Sequence, residues 1–436
     1  MQTRIIGVDL AVKAPHAAAI YDPASQTFLT KRMKFRSRPK EIDRVLAKAR
    51  QGAGKDVQLI VVMEATNMSW FEIGPYLHRQ GVVVYRVNGR ATKAIRSIDT
   101  PHAHSDKLDG MALAKLYELK RKKLVPWTPP GGEVLALQRM SRELHRIIKQ
   151  QTAITQRLQE LYHWTWGGWR GLIPKAYQEW VLHTYYDPWT ATALGGDWLR
   201  TRLLDDMPEA KTDWIEPWLQ RAEERKQLYG APDTVDFDYV AQSVERELED
   251  MNHLAQRRKV LIKEHILPLY HKLYPDDVLT SLWGVGERSA AIYHGFIISI
   301  QRFPNARRFV QWTGMAPRSF QSGTVQNTRM RLSKQGPNLI KATLYQNASV
   351  ARQWDMQLAK VYYDQMVKHG KHHTQAVCAV ASHLANRIYA LLREQRPYQL
   401  LDVEGKPISL SQSRDYIQKN LQVPEEIRKQ RKRRQS

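Results

Sequence analysis

The run Val57-Gln58-Leu59-Ile60-Val61-Val62-Met63-Glu64 is apolar almost throughout and stops at an acid. A run of this kind reads as a strand buried on both faces of a sheet. Arg4-Ile5-Ile6-Gly7-Val8-Asp9-Leu10 reads as a second strand with an acid near its end, and His16–Tyr21, Thr27–Phe35 and Val82–Val87 as three more. Helical spacing occupies Lys40–Arg50, Trp70–Gln80 and Ser105–Lys120, the last with Ser105 as N-cap. Strands and helices in this order predict an α/β sandwich with mixed strand directions over residues 1–125.

The Pro-rich break at Pro126–Pro130 ends that domain. Apolar residues then recur at helical spacing from Glu133 to Tyr162, through Leu137, Leu144, Ile147, Ile154 and Leu158. A second long helical pattern covers Tyr239–Leu267. The two suit either an antiparallel coiled-coil hairpin or an ordinary intradomain helix pair. They bracket a Trp-rich insert (164–238, within a 131–275 segment) that contains Trp164, Trp166, Trp169, Trp180, Trp189, Trp198, Trp214 and Trp218. Tryptophans stack on unpaired bases, but the insert is not especially basic, so the reading favours a small core. A mainly helical domain is expected over 276–400 and a basic tail over 401–436, with six Lys/Arg among the seven positions Arg428–Arg434. Within 279–291, Leu282-Trp283-Gly284-Val285-Gly286 resembles a helix-hairpin-helix turn, in which Gly284 and Gly286 let backbone amides approach a phosphate. An ordinary tight turn between helices would look the same.

Charge narrows the partners. A formal charge of +24 on 436 residues suits a chain that meets a polyanion. No apolar run is long enough to span a bilayer, and Met1-Gln2-Thr3-Arg4 leads directly into a strand pattern with no signal-peptide signature. Cys378 is the sole cysteine, which excludes intrachain disulfides and a Cys-based zinc site. The expectation is a cytoplasmic protein without membrane association.

Four acids carry the candidate chemistry. Asp9 and Glu64 end apolar strands; Asp106 and Asp109 are three apart on a helix and share a face. Singly, such acids are usually solvated ends or surface positions. Gathered together they would repel and raise one another's pKa unless a cation joined them. Mg²⁺ prefers hard oxygen ligands, and two such ions can clamp a phosphodiester. His102 and His104 suit Mg²⁺ poorly and read as substrate-side or structural; Asp99 reads as a surface acid. A loop, Gly314–Gly323, ends in Gln321-Ser322-Gly323 and is followed by Arg329, Arg331 and Lys334. That is ordinary turn chemistry, or else a serine nucleophile with Arg318, Arg329, Arg331 and Lys334 holding the phosphate. No histidine lies near, so a Ser-His-Asp triad has no support.

These residues together resemble the DEDD transposases of the insertion-sequence-110/1111 group, which are related to Piv/MooV-type DNA invertases. The resemblance rests on Gly7-Val8-Asp9, Met63-Glu64-Ala65-Thr66 and Ser105-Asp106-Lys107-Leu108-Asp109-Gly110 in the first part. In the last part it rests on Leu282–Gly286, Arg302-Phe303-Pro304, Gly314–Pro317, Gln321-Ser322-Gly323 and Leu332–Gly336. It covers roughly residues 4–160 and 275–395. It implies a RuvC-like RNase H fold holding Mg²⁺ on Asp9, Glu64, Asp106 and Asp109. It also implies a helical domain whose Ser322 links covalently to DNA, a composite active site in a homodimer or homotetramer, and a structured guide RNA from the element. Gly110 stands where the group more often has Ala, and His104 where Lys is common. The Trp-rich insert has no counterpart. The expected function is strand exchange at a mobile element through a phosphoserine intermediate. A hydrolytic RuvC-like Holliday-junction nuclease, a DNA invertase and a non-catalytic nucleic-acid-binding protein are the rivals.

Overall fold

The computed structural model describes residues 2–54, 56–64, 69–87, 106–121, 124–167, 171–184, 187–316, 321–322, 325–326 and 336–431, with the backbone alone at 106–107, 321–322 and 325–326. The chain divides into two compact units, Met1–Gly131 and Gly132–Ser436.

Unit 1 is built on a six-stranded sheet of order β3-β2-β1-β4-β5-β6. The strands are β1 (Thr3–Asp9), β2 (His16–Asp22), β3 (Thr27–Phe35), β4 (Gln58–Glu64), β5 (Val83–Val87) and the short β6 (Pro126–Trp127). β1, β4 and β5 run parallel, while β2, β3 and β6 are antiparallel to their neighbours. This is the mixed α/β arrangement expected from the sequence, and it is compatible with an RNase H-like domain. Strand alternation sorts the apolar residues onto two faces. Ile6, Val8, Val61 and Met63 face α1 (Pro39–Arg50) and α2 (Ser69–Arg79), packing with Val45, Leu46, Ile73 and Leu77. Ile5, Ile60, Val62 and Tyr85 face α3 (Asp106–Lys120) and its Ala112, Leu113 and Leu116. Both faces are covered, which is why β4 reads as a continuous apolar run. Trp127 closes the far edge: it meets Trp70 edge-on at 5.4 Å, and a Cβ on Gly74 would lie 2.9 Å from its ring.

Unit 2 is mostly helical. α4 (Gly132–Trp166) and α9 (Phe237–Val260) pair antiparallel within the chain. Arg157 bonds Glu247 at 2.5 and 2.7 Å, and Arg257 bonds Glu143 at 2.5 Å, so opposite ends meet. α9 continues through a π-helical turn at Leu261–Ile266 into α10 (Leu267–Leu273), beyond the end its periodicity predicts. Between the arms lie α5 (Gln178–Thr184), α6 (Pro188–Leu194), α7 (Gly196–Asp206) and α8 (Ile215–Tyr229). Their core holds Trp166, Trp180, Trp214 and Trp218, all buried, while Trp164 and Trp198 are exposed.

A second, larger core joins the amino-terminal half of α4 to α11 (Glu287–Ile297), α12 (Ala306–Thr313), α13 (Asn338–Ala351), α14 (Met356–Tyr363) and α15 (His373–Glu394). Residues 401–431, expected as a basic tail, are folded. α16 (Leu410–Asn420) starts at a capping box in which Ser409 and Gln412 exchange side-chain-to-backbone hydrogen bonds, and α17 (Glu425–Gln430) follows. Ser413 is fully buried, donates to the Trp354 carbonyl at 2.6 Å and accepts from Met356 N at 3.0 Å, which docks α16 onto the core. Strong basicity is confined to Arg428–Arg434; over 401–431 six Lys/Arg stand against five Asp/Glu, and the buried apolar Ile417 and Val423 hold the segment down. Among the described residues, no helix is long and apolar enough to cross a membrane.

Candidate functional site

Asp9 and Glu64 come together by register. In the parallel β1–β4 pair, Gly7 lies beside Val62 and Val8 beside Met63; one step further each strand ends, at Asp9 and at Glu64. Alternation puts both acids on the α3 side, in phase with Ile5 and Gly7 on one strand and Ile60 and Val62 on the other.

α3 reaches that same edge. A Cβ on Gly7 would lie 2.0 Å from the Gly110 carbonyl oxygen and 2.6 Å from Ala114 N, so strand and helix touch backbone to backbone. Further along the helix, Glu118 hydrogen-bonds Tyr21, which pairs with Ile5 nearer the start of β1. The helix therefore runs antiparallel to β1, and its amino end, with Asp106 and Asp109, points to the edge where β1 and β4 stop. The four sequence positions share one edge of the sheet. Asp9, Glu64 and Asp109 are all half-buried. The Asp106 side chain lies outside the described residues, and among the described ones no three His, Cys, Asp or Glu side chains are close enough to hold a metal ion. The donor chemistry, carboxylates only and no thiolate, fits a hard divalent cation. Asp99, His102 and His104 lie outside the described residues.

A polar chain that the sequence reading missed braces this edge from the opposite face. Ala11 N donates to His16 Nδ1 at 3.1 Å, His16 Nε2 meets Ser37 Oγ at 2.9 Å, and Ser37 donates to Glu72 at 2.6 Å. With Nδ1 accepting, the proton sits on Nε2 and the ring is neutral. Burial pushes the His16 pKa below its ordinary value, with Glu72 opposing. The chain fixes the turn that follows Asp9. Nothing in periodicity pairs residues this far apart in sequence, so no local signal could have found it. Arg86, whose neighbour Val87 pairs with Glu64, lies over the Trp70 ring at 3.5 Å.

In unit 2, Ser322 ends a short strand. β7 (Gln321–Ser322) pairs antiparallel with β8 (Val325–Gln326), Ser322 opposite Val325, so the Ser322 backbone occupies a paired strand position. Two glycines pin the base of this excursion. Gly314 leaves α12 in the left-handed conformation at φ 79°. Gly336 returns at φ 81°, where a Cβ would lie 2.0 Å from Trp312 O and 3.1 Å from Gly314 N. The intervening chain thus leaves and re-enters the core at one point, which accounts for the glycines that the sequence motifs carry there. Arg318, Arg329, Arg331 and Lys334 lie outside the described residues.

Gly284 adopts φ +86°, and a Cβ there would lie 2.7 Å from both Ala351 N and Asn347 O, so this glycine serves close packing on α13. Asn347 donates to Gly284 O at 2.6 Å and to Ser289 Oγ at 3.0 Å, and accepts from the Tyr293 hydroxyl at 2.6 Å. Gly286 is the N-cap of α11 and faces open space.

Two family models match the chain in order. Residues 6–163 match the DEDD transposase model of IS110, and residues 276–364 match the model described as Transposase IS116/IS110/IS902 family. The chain belongs to the IS110 family of transposases. The first IS110-family match covers the whole carboxylate edge and the second covers the serine hairpin. The chain is similar to the uncharacterized 43.6 kDa protein of insertion element IS110 from Streptomyces coelicolor, 27% identical over 220 residues, or 50% of this chain and 52% of the relative. It is also similar to the uncharacterized 42 kDa protein of insertion element IS900 from Mycobacterium paratuberculosis, 33% identical over 96 residues, or 22% of this chain and 24% of the relative. The matched stretches thus span about half and about a quarter of those two relatives. The Trp-rich insert falls between the two family matches.

Proposed function

We propose that this chain is a DNA transposase that excises and inserts a mobile element by cutting and rejoining strands. The observation that carries the reading is the shared edge in unit 1, where β1 and β4 end in Asp9 and Glu64 and the amino end of α3 brings Asp106 and Asp109. These four carboxylates would hold Mg²⁺, which when bound offsets the charge gathering on a phosphodiester under attack. Ser322 is the nucleophile. Its Oγ bonds to phosphorus as one DNA hydroxyl leaves, its own proton passing to solvent. A DNA hydroxyl later displaces Ser322, so the phosphoester bond is conserved through rejoining. Arg318, Arg329, Arg331 and Lys334 hold the phosphate, and the amides around Gly284 and Gly286 contact DNA backbone. The +24 charge leaves room for a structured element-encoded RNA beside the DNA, and the working form is a homodimer or homotetramer.

A suicide substrate tests this with purified protein. The wild type should form a covalent protein–DNA adduct that needs a divalent cation, and Ser322→Ala and Asp9→Asn should both lose it. Full recombination by Ser322→Ala would overturn the serine mechanism. Cutting by that variant with no adduct in the wild type would favour the hydrolytic nuclease instead.

A further inference from the structure

The carboxyl-terminal segment closes one side of an open cleft of about 330 Å³ whose other side is the end of α13 and the start of α14. Three arginines line it: Arg352 just past α13, Arg414 on α16 and Arg428 on α17. Among the described residues none of the three forms an ion pair, although acids lie nearby in the same part of the fold. Glu425 is taken by Lys429 at 3.1 Å; Asp355, beside the cleft, is taken by the Tyr398 hydroxyl at 2.5 Å and by Arg387 at 3.6 Å.

Two of the three arginines are held in place by rings. Arg352 lies over Tyr362 at 4.1 Å, and Arg414 over Trp354 at 4.8 Å. Trp354 is in turn stacked on Trp283 at 5.8 Å. Arg352 Nε is buried without a hydrogen-bond partner, a cost that folding alone does not explain. Burial lowers the Arg352 pKa, and Arg428 adds like-charge repulsion. Three guanidinium groups that line one cleft, two of them over rings and none paired with a carboxylate among the described residues, suit an anion that is not part of the fold. Lys432, Arg433 and Arg434 follow directly in sequence, extending the same charge.

We propose that this cleft binds a phosphate of a nucleic-acid backbone, through Arg352, Arg414 and Arg428, as an anchoring site separate from the carboxylate edge and the serine hairpin. It rests on the proposed nucleic-acid partnership but not on the cutting chemistry.

The test is binding of a fluorescein-labelled mixed-sequence DNA duplex in EDTA, with salt varied, so that no cleavage intervenes. Arg414 and Arg428 are exposed, so Arg414→Ala/Arg428→Ala should fold normally. Lys419→Ala/Lys429→Ala, on the same helices but outside the cleft, removes the same charge. The arginine pair should weaken binding about tenfold at moderate salt and lower the slope of log K against log salt by about 1, for the one phosphate no longer neutralised. The lysine pair should change the slope by less than half as much. Equal effects of the two variants would overturn the proposal, as would a wild type that binds no duplex, which would also remove the proposed function. Displacement of the duplex by polyglutamate at matched charge, lost in the arginine variant alone, would reassign the cleft to an acidic protein partner and overturn it too.

Discussion

Gly7 and Gly110 meet backbone to backbone, and this contact sets how far the amino end of α3 sits from the ends of β1 and β4. The two glycines are not equivalent. A methyl on Gly7 would lie 2.0 Å from Gly110 O, whereas one on Gly110 would lie 3.3 Å from Gly7 O and 3.4 Å from the Ala19 Cβ.

Gly7→Ala must therefore push α3 off the sheet. It should destabilise unit 1 by about 1–3 kcal/mol, as overpacked cores do, and cut strand cleavage by at least tenfold. Gly110→Ala asks its neighbours to yield only a few tenths of an ångström, and its helix gains about 1 kcal/mol of intrinsic propensity. Its net change should stay within about 1 kcal/mol. Urea denaturation and a cleavage assay on both variants check this; equal costs would mean that α3 is not seated through Gly7.

Five strands and the three helices of unit 1 were legible from their hydrophobic periods; β6 was not, because Pro126 and Trp127 lie in the Pro-rich stretch that reads as a break after the domain. β4 and α1 follow the periodicity to within a residue at each end. The four acids were legible as strand-end and helix-face positions. What the sequence could not give is the direction of α3 across the sheet, since that depends on a contact between two glycines far apart in the chain. Nor could it give the folding of residues 401–431, where buried Ser413, Ile417 and Val423 are too sparse to mark a packed face on paper.

The base of the serine excursion offers a second prediction. Gly336→Ala puts a methyl 2.0 Å from Trp312 O at φ +81°, so the two ends of the excursion must part. Covalent adduct formation should fall by at least tenfold while the Kd for duplex DNA changes by less than threefold. A parallel loss of binding would show that the excursion serves docking rather than chemistry.

Tryptophans of the insert divide by burial. Trp218, fully buried against Trp166 at 5.1 Å, should cost about 3–5 kcal/mol when changed to Ala. Trp164 is 55% exposed, and Trp164→Ala should stay within about 0.5 kcal/mol of wild type. Thermal melts decide the first point. For the second, binding of single-stranded DNA is the sharper measurement, because a severalfold loss there would give Trp164 a base-stacking role.

Acid should loosen the turn beyond Asp9. The folded His16 has a pKa below its ordinary 6.5, so near and below that pH the unfolded chain takes up more protons than the folded one. The stability it contributes is complete above 6.5 and is lost as pH falls. A protonated ring also cannot accept from Ala11 N. Urea midpoints measured from pH 7.5 down to 5 should fall more steeply for wild type than for His16→Gln; parallel curves would assign the acid sensitivity elsewhere.

α4 belongs to two cores at once. Leu137, Leu144 and Ile147 are buried in the larger one, and Ile154, Leu158, Tyr162 and Trp166 in the tryptophan-lined one. A helix of 35 residues is about 52 Å long, and it is continuous across the junction. Neither core can melt without fraying the rod that the other needs. The insert is thus tied by cooperativity to the part of the chain that carries Ser322, and a heat-capacity trace of unit 2 would register both in one peak.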